Sequence, residues 1–278
     1  MSSAPARLLA VPAAARPLAV PAAPRLLAGC VAGVLVLAAV AGCGGGGAGR
    51  ARSAAVSPGV EQRPSQSPGQ EAGDAPLSEA QVRAALITDT DLGAPWTPTE
   101  GSATWRDTLL KAATTAPDCQ RLLDALYADE PLGAPTGTYA VTALDDQDDQ
   151  AQLRYQVDGH RPADVERSLA WLRTLPRNCS QFTAATTRAG TQTVRVADVG
   201  LPSVGDDRQG LRVTLNGEDD NGETTTLTLD IAAVRVGDDA IVLSNGALGT
   251  LPEDSTRQAL DAGVQRLTQV RQQERAQA

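Results

Sequence analysis

Histidine, lysine and methionine each occur once in this chain, at His160, Lys111 and Met1, and only seven side chains are aromatic. With a single imidazole, a zinc site built on several histidines is excluded, and any His-based triad would have to use His160. Scarce aromatics leave few large side chains for a core. No Gly-x-Ser-x-Gly elbow occurs, and no glycine-rich loop is followed by Lys-Ser or Lys-Thr, so neither a serine hydrolase nor a phosphate-cradling loop is indicated. Long apolar runs are also missing. The longest spans residues 26–40, about 15 residues, against the roughly 18 to 20 that a membrane-crossing helix needs.

That run stands in a definite context. Arg7, Arg16 and Arg25 precede it, and Val40-Ala41-Gly42-Cys43 follows. A basic start, an apolar stretch and small residues before a cysteine make an export signal. The junction resembles the bacterial lipobox, in which the cysteine sulfur receives a diacylglyceryl group before cleavage ahead of it. Leu27-Ala28-Gly29-Cys30 spells the same pattern, but nothing long and apolar precedes it. The expectation is therefore a signal peptide over 1–42, an acylated (palmitate-type) Cys43 holding the protein to the outer face of the cell membrane, and a Gly/Ser/Pro linker to residue 76. As a coil the linker reaches roughly 30 Å. A single extracytoplasmic domain is expected over 77–278.

Beyond Cys43 stand 21 basic and 33 acidic residues, a net charge of −12. An acidic surface excludes the basic footprint that nucleic acid requires and disfavours a domain lying flat on anionic lipid. Arginine in place of lysine, with abundant alanine, points to a high-GC actinobacterial source. Two cysteines remain in an oxidising compartment, Cys119 and Cys179, and an even count there predicts a bridge. It would close a loop with a sequence separation of 60, worth roughly 4 kcal/mol by chain-entropy arithmetic.

Periodicity orders the domain. Leu77-Ser78-Glu79-Ala80-Gln81-Val82 carries a capping box and a hydrophobic staple, predicting a helix to about residue 87, followed by a loop holding Gly93, Pro95 and Trp96. Cys119, Leu122, Leu123 and Leu126 share one face of a helix over 118–128. Tyr139, Val141, Ala143 and then Leu153, Tyr155, Val157 alternate as a hairpin around Asp145 to Asp149. A helix from Pro162 ends near Pro176. Strands are expected over 181–187, 192–199, 211–215, 225–236 and 240–244, with a bulge at Ala232-Ala233 where the alternation shifts, and a turn at Asn221-Gly222. A last helix over 252–272 presents Leu260, Val264 and Leu267. The class is α+β, a mostly antiparallel sheet flanked by helices.

Candidate sites are few. His160 lies in a strand-to-helix turn and reads as an ordinary exposed histidine. Gly217, Asp219, Asn221 and Gly222 partly match a calcium loop, which then has Thr228 where the bidentate glutamate belongs, and the Asp145 to Asp149 cluster reads as a solvated hairpin tip. Trp96 and Trp105 flank a polar loop and read first as core filling, with the lining of a ligand cleft as the alternative. No catalytic residue, metal or cofactor is indicated.

Pro117-Asp118-Cys119-Gln120 before a helix, the helix over 162–178 ending in Cys179-Ser180-Gln181-Phe182, and the terminal strand and helix over 240–270 together resemble the extracellular sensor domain of mycobacterial PknH-type receptor Ser/Thr kinases. The resemblance spans residues 77–270 and implies an antiparallel sheet with flanking helices and a cleft for an unidentified ligand. A second disulfide common between that family's late strands has no counterpart here. The function expected is a non-catalytic binding domain for an extracellular ligand or envelope protein. Its alternatives are a carboxylate-based hydrolase and a lipid-carrying or structural envelope protein.

Overall fold

In the computed structural model, residues 75–218, 222–252 and 254–277 are described. They lie in the second of two compact units, 62–278. Cys43, the signal segment and most of the linker fall outside the described residues, as do Asp219 and Asn221.

The chain runs α1 (Glu79–Ala84), α2 (Asp89–Leu92), β1 (Trp96–Pro98), one π-helical turn (Arg106–Leu110), β2 (Ala112–Ala113), α3 (Pro117–Ala128), β3 (Tyr139–Asp146), β4 (Ala151–Gly159), α4 (Pro162–Leu172), α5 (Leu175–Asn178), β5 (Gln181–Thr186), β6 (Thr191–Asp198), β7 (Asp207–Glu218), β8 (Thr224–Val236), β9 (Asp239–Leu248) and α6 (Ser255–Gln277). The strands form one sheet in the order β1-β3-β4-β9-β8-β7-β6-β5-β2, with every pairing antiparallel. Among the described residues no helix is long and apolar enough to cross a membrane.

Local chemistry sets the helix ends. Ser78 and Gln81 form the expected reciprocal capping box of α1. Pro117 and Pro162 open α3 and α4, where a missing N–H is harmless. Asp129 ends α3 in the left-handed region at φ 58° and takes the Arg106 guanidinium in two hydrogen bonds. The expected bridge is present, Cys119 to Cys179 with sulfurs 2.07 Å apart, and joins α3 to the end of α5.

Two hydrophobic cores lie on opposite faces of the sheet and are offset along it. One holds α3, α4 and α5 against Val194, Val213, Leu215, Leu227, Leu229 and Ile231. The other holds α1, α2 and α6 against Leu153, Tyr155, Val157, Val234, Ile241 and Leu243. This offset corrects the expected bulge. The pairing of β8 with both neighbours is continuous through Ala232 and Ala233. Leu227, Leu229 and Ile231 face the first core, and Val234 faces the second, so the apparent shift in alternation marks a strand passing from cover on one face to cover on the other.

Other boundaries moved for similar reasons. Strands β7 and β9 extend beyond their apolar centres, because pairing with β8 carries polar residues into the ladder. Strand β7 ends at Glu218 and β8 begins at Thr224, and Asn221 of the expected Asn-Gly turn lies outside the described residues. Val264 is only half-buried, and α6 instead buries Ala259, Leu260, Gly263, Leu267 and Val270.

Candidate functional site

The offset of the cores leaves part of one sheet face bare. On β7 and β8 the residues alternating with the first core are Arg212, Thr214, Thr228 and Asp230, and α6 packs over β8 and β9 without reaching across them all. Register sets Arg212 opposite Asp230 and Thr214 opposite Thr228. These four floor a cleft of about 520 Å³, within the range of small-molecule sites.

Its walls come from two loops. Residues 199–202 form one, laid directly against β7 because Gly210 has no side chain. A Cβ there would stand 2.6 Å from the Val199 carbonyl oxygen, and the Val199 N–H instead donates to the Gly210 carbonyl at 3.2 Å. The other wall holds Thr250, Leu251, Pro252 and Asp254, then Thr256 and Arg257 from the first turn of α6. Asn245, fully buried on β9, fixes that turn by donating through Nδ2 to Ser255 Oγ at 2.7 Å and Thr256 Oγ1 at 3.2 Å.

On the floor the central feature is an ion pair. Arg212 donates from Nε to Asp230 Oδ1 at 2.7 Å and from Nη2 to Oδ2 at 2.8 Å. The Asp230 side chain is 5% exposed and that of Arg212 48%. Burial of the acid and exposure of the base leave the guanidinium as the group presented to the cleft. Both Asp230 oxygens are engaged, so this carboxylate is not offered to a substrate. Among the described residues Asp254 is the other acid on the cleft, exposed and 3.5 Å from Arg257. The arrangement can hold and orient a polar molecule by hydrogen bonds.

The residues expected from sequence lie elsewhere. Trp96 and Trp105 are both buried, and they belong to different cores. Trp105 also borders a more open cavity of about 370 Å³ with residues 101–104, 145–147 and 150–152. The acidic run there serves the hairpin. Asp145 accepts from Thr99 Oγ1 at 2.7 Å and Gln152 Nε2 at 2.8 Å, while Asp146 caps the turn from the Asp148 and Asp149 N–H groups.

His160 corrects the expected exposed turn residue. Its side chain is 1% exposed, with Nε2 3.6 Å from the equally buried Asp158 Oδ2, which accepts from Gln156 Nε2 at 2.6 Å. Strand β4 reaches Gly159, where the Thr136 and Gly137 N–H groups bond the Gly159 carbonyl, so the turn is covered by neighbouring backbone. A cavity under α3, bounded by Leu126, Ile231, Val242 and Leu243 together with Asp129, Arg154 and Gln156, measures about 10 Å³ and has no room for an acyl chain.

Sequence reasoning passed over Arg212, Thr214, Thr228 and Asp230. Their alternation with leucine and valine reads as a solvent-facing edge, and only register brings the two strands' polar residues side by side. No protein-family model and no curated protein sequence matches the chain. Among solved structures it is similar to the extracellular domain of PknH from Mycobacterium tuberculosis, at 18% identity and a TM-score of 0.44, covering 70% of this chain and 98% of that one. It is also similar to an uncharacterised Mycobacterium smegmatis protein, the Rv0999 ortholog, at 15% identity and a TM-score of 0.35, covering 70% and 97%. A third likeness, to the Saccharomyces cerevisiae Ran-binding protein Mog1p, has 12% identity and a TM-score of 0.21, covering 49% and 76%. At identities and TM-scores this low, function has to be read from the cleft itself.

Proposed function

We propose that this chain is an extracytoplasmic lipoprotein, held to the cell membrane through Cys43, whose domain binds a small polar ligand in the β7/β8 cleft without transforming it. The observation that carries this reading is the cleft of about 520 Å³ floored by Arg212, Thr214, Thr228 and Asp230. Polar side chains on a rigid antiparallel floor give fixed hydrogen-bonding directions, which suits recognition. The Cys119–Cys179 bridge supports an oxidising compartment.

A cleft-blocking substitution tests the binding reading. Soluble cell-wall fragments are screened against the full chain in a non-ionic detergent by ligand-detected NMR, with Thr214→Trp as the blocked variant and Gln147→Trp at the distant hairpin as control. Fragments that bind the wild type and the control are expected to lose affinity for Thr214→Trp. Equal binding to all three would place the ligand elsewhere and end this proposal.

A further inference from the structure

The floor of the cleft has a chemical preference. An arginine side chain carries five N–H donors, four of which make two forks. Asp230 occupies the side-on fork, Nε with Nη2, at 2.7 and 2.8 Å. What remains is the end-on fork, Nη1 with the second Nη2 proton, on a side chain that lines the cleft and is 48% exposed. Because the Asp230 side chain is 5% exposed and fixed in the sheet opposite Arg212, it locks the guanidinium plane and limits the rotamer freedom that binding would otherwise have to remove.

The surroundings are mixed, because the exposed Asp254 carboxylate lies on the wall 3.5 Å from Arg257 while the floor around Arg212 carries neutral hydroxyls. Thr214 and Thr228 stand beside Arg212 on the floor, and Thr256 stands at the first turn of α6. That helix runs for 23 residues, and its positive end faces the cleft from the wall, where Asp254 immediately precedes it and Arg257 follows. Leu201 and Leu251 bring apolar surface to the two loops. The fork accepts two oxygens of one planar or tetrahedral group, and the leucines suit a short apolar body beyond it.

Building on the binding role proposed for this cleft, we infer that its ligand is an organic oxyanion, a carboxylate or phosphate seated on the end-on fork of Arg212, with its apolar part against Leu201 and Leu251. Buried Asp230 acts as the positioning group for the arginine. The acidic net charge of the domain does not oppose this at contact range, since charges beyond roughly 10 Å are screened at ordinary salt.

Four probes separate the outcomes: butyrate, butyl phosphate, inorganic phosphate and neutral butanol, each titrated into the isotope-labelled full chain in a non-ionic detergent at constant ionic strength. Butyrate or butyl phosphate is expected to move the Arg212 side-chain resonances and the amides of Thr214, Thr228 and Thr256 saturably, with no such movement from butanol. The tighter of the two identifies the head group, and inorganic phosphate acting alone would overturn the apolar contact. Arg212→Gln with Asp230→Asn keeps a neutral hydrogen-bonded pair, and binding should weaken about tenfold or more. Arg212→Lys, which keeps the charge and loses the second fork, should also weaken it. Butanol binding as well as butyrate, or unchanged anion binding in both variants, overturns the oxyanion assignment and leaves the cleft a binding site. No response to any probe overturns it too, and the Thr214→Trp comparison then decides separately whether the cleft binds anything. The wild-type Arg212 resonances give a reading even where a variant does not fold.

Discussion

Gly263 lies within α6 with the Tyr155 ring where its side chain would be. A Cβ there would stand 2.4 Å from the Tyr155 hydroxyl and 2.5 Å from the ring, and Tyr155 is fully buried between the sheet and the helix. In an exposed helix, alanine is favoured over glycine by about 1 kcal/mol. Here overpacking reverses the sign, and Gly263→Ala should destabilise the domain by about 1 to 3 kcal/mol in urea unfolding. Burial also pushes the Tyr155 hydroxyl far above the usual phenol range. A spectrophotometric titration should therefore find it protonated until the fold opens.

Two aspartates respond to pH in opposite senses. Desolvation pulls Asp91 upward, but hydrogen bonds from Arg266 and Thr88 outweigh it and hold its carboxyl below the ordinary value of 3.8. Its contribution is thus present above 3.8 and lost as pH falls through the lower folded value. Desolvation pushes Asp239 above 3.8 despite the Arg271 guanidinium at 2.7 Å. Between 3.8 and that raised value the folded state holds a proton the unfolded chain has released, so this contribution falls as pH rises. The stability advantage of wild type over Asp91→Asn should grow from about pH 3 to 6, and that over Asp239→Asn should shrink. Parallel slopes in urea unfolding would contradict the pairing.

At the scale of elements, the first turn of α6 is tied to β9 by the Asn245 side chain, beside the bonds of Gln258 to the Asp91 and Leu92 carbonyls. Replacing Asn245 by alanine removes the donor to Ser255 and Thr256, at a cost of about 1 to 3 kcal/mol. Amide exchange should speed up at residues 256–258 before the rest of the helix. The disulfide ties α3 to α5 across a separation of 60 residues. Cys119→Ser with Cys179→Ser should lose up to about 4 kcal/mol, and non-reducing peptide mapping of the wild type should recover the two cysteines linked. Helix termini and strand alternation were legible in the residues, as Ser78, Pro117 and Pro162 show. The short α2, β1 and β2 were not, since segments of four residues or fewer carry no periodicity.

At the scale of the whole molecule, each face of the sheet is covered over a different part of its width. That arrangement explains why β8 and β9 are buried on both sides and why polar residues of β7 and β8 remain open to a cleft. The proposed anchor belongs to the same scale. Metabolic labelling with a radioactive fatty acid should mark the wild type and not Cys43→Ser, and equal label in both would refute attachment through that residue.

Sequence alone determined the α+β class, the hairpin of β3 and β4 and the cap of α1, because each depends on residues near one another, and it pointed to the Cys119–Cys179 pair because the export reading leaves those two of the four cysteines to the domain. Tertiary structure decided the rest. The bulge expected at Ala232-Ala233 vanished because cover alternates between faces, which no single strand records. His160 became buried because backbone from another segment closes over its turn. Arg212 and Asp230 are 18 residues apart, and only the register of β7 on β8 makes them one group, with one fork of the arginine closed by the acid and the other facing the cleft.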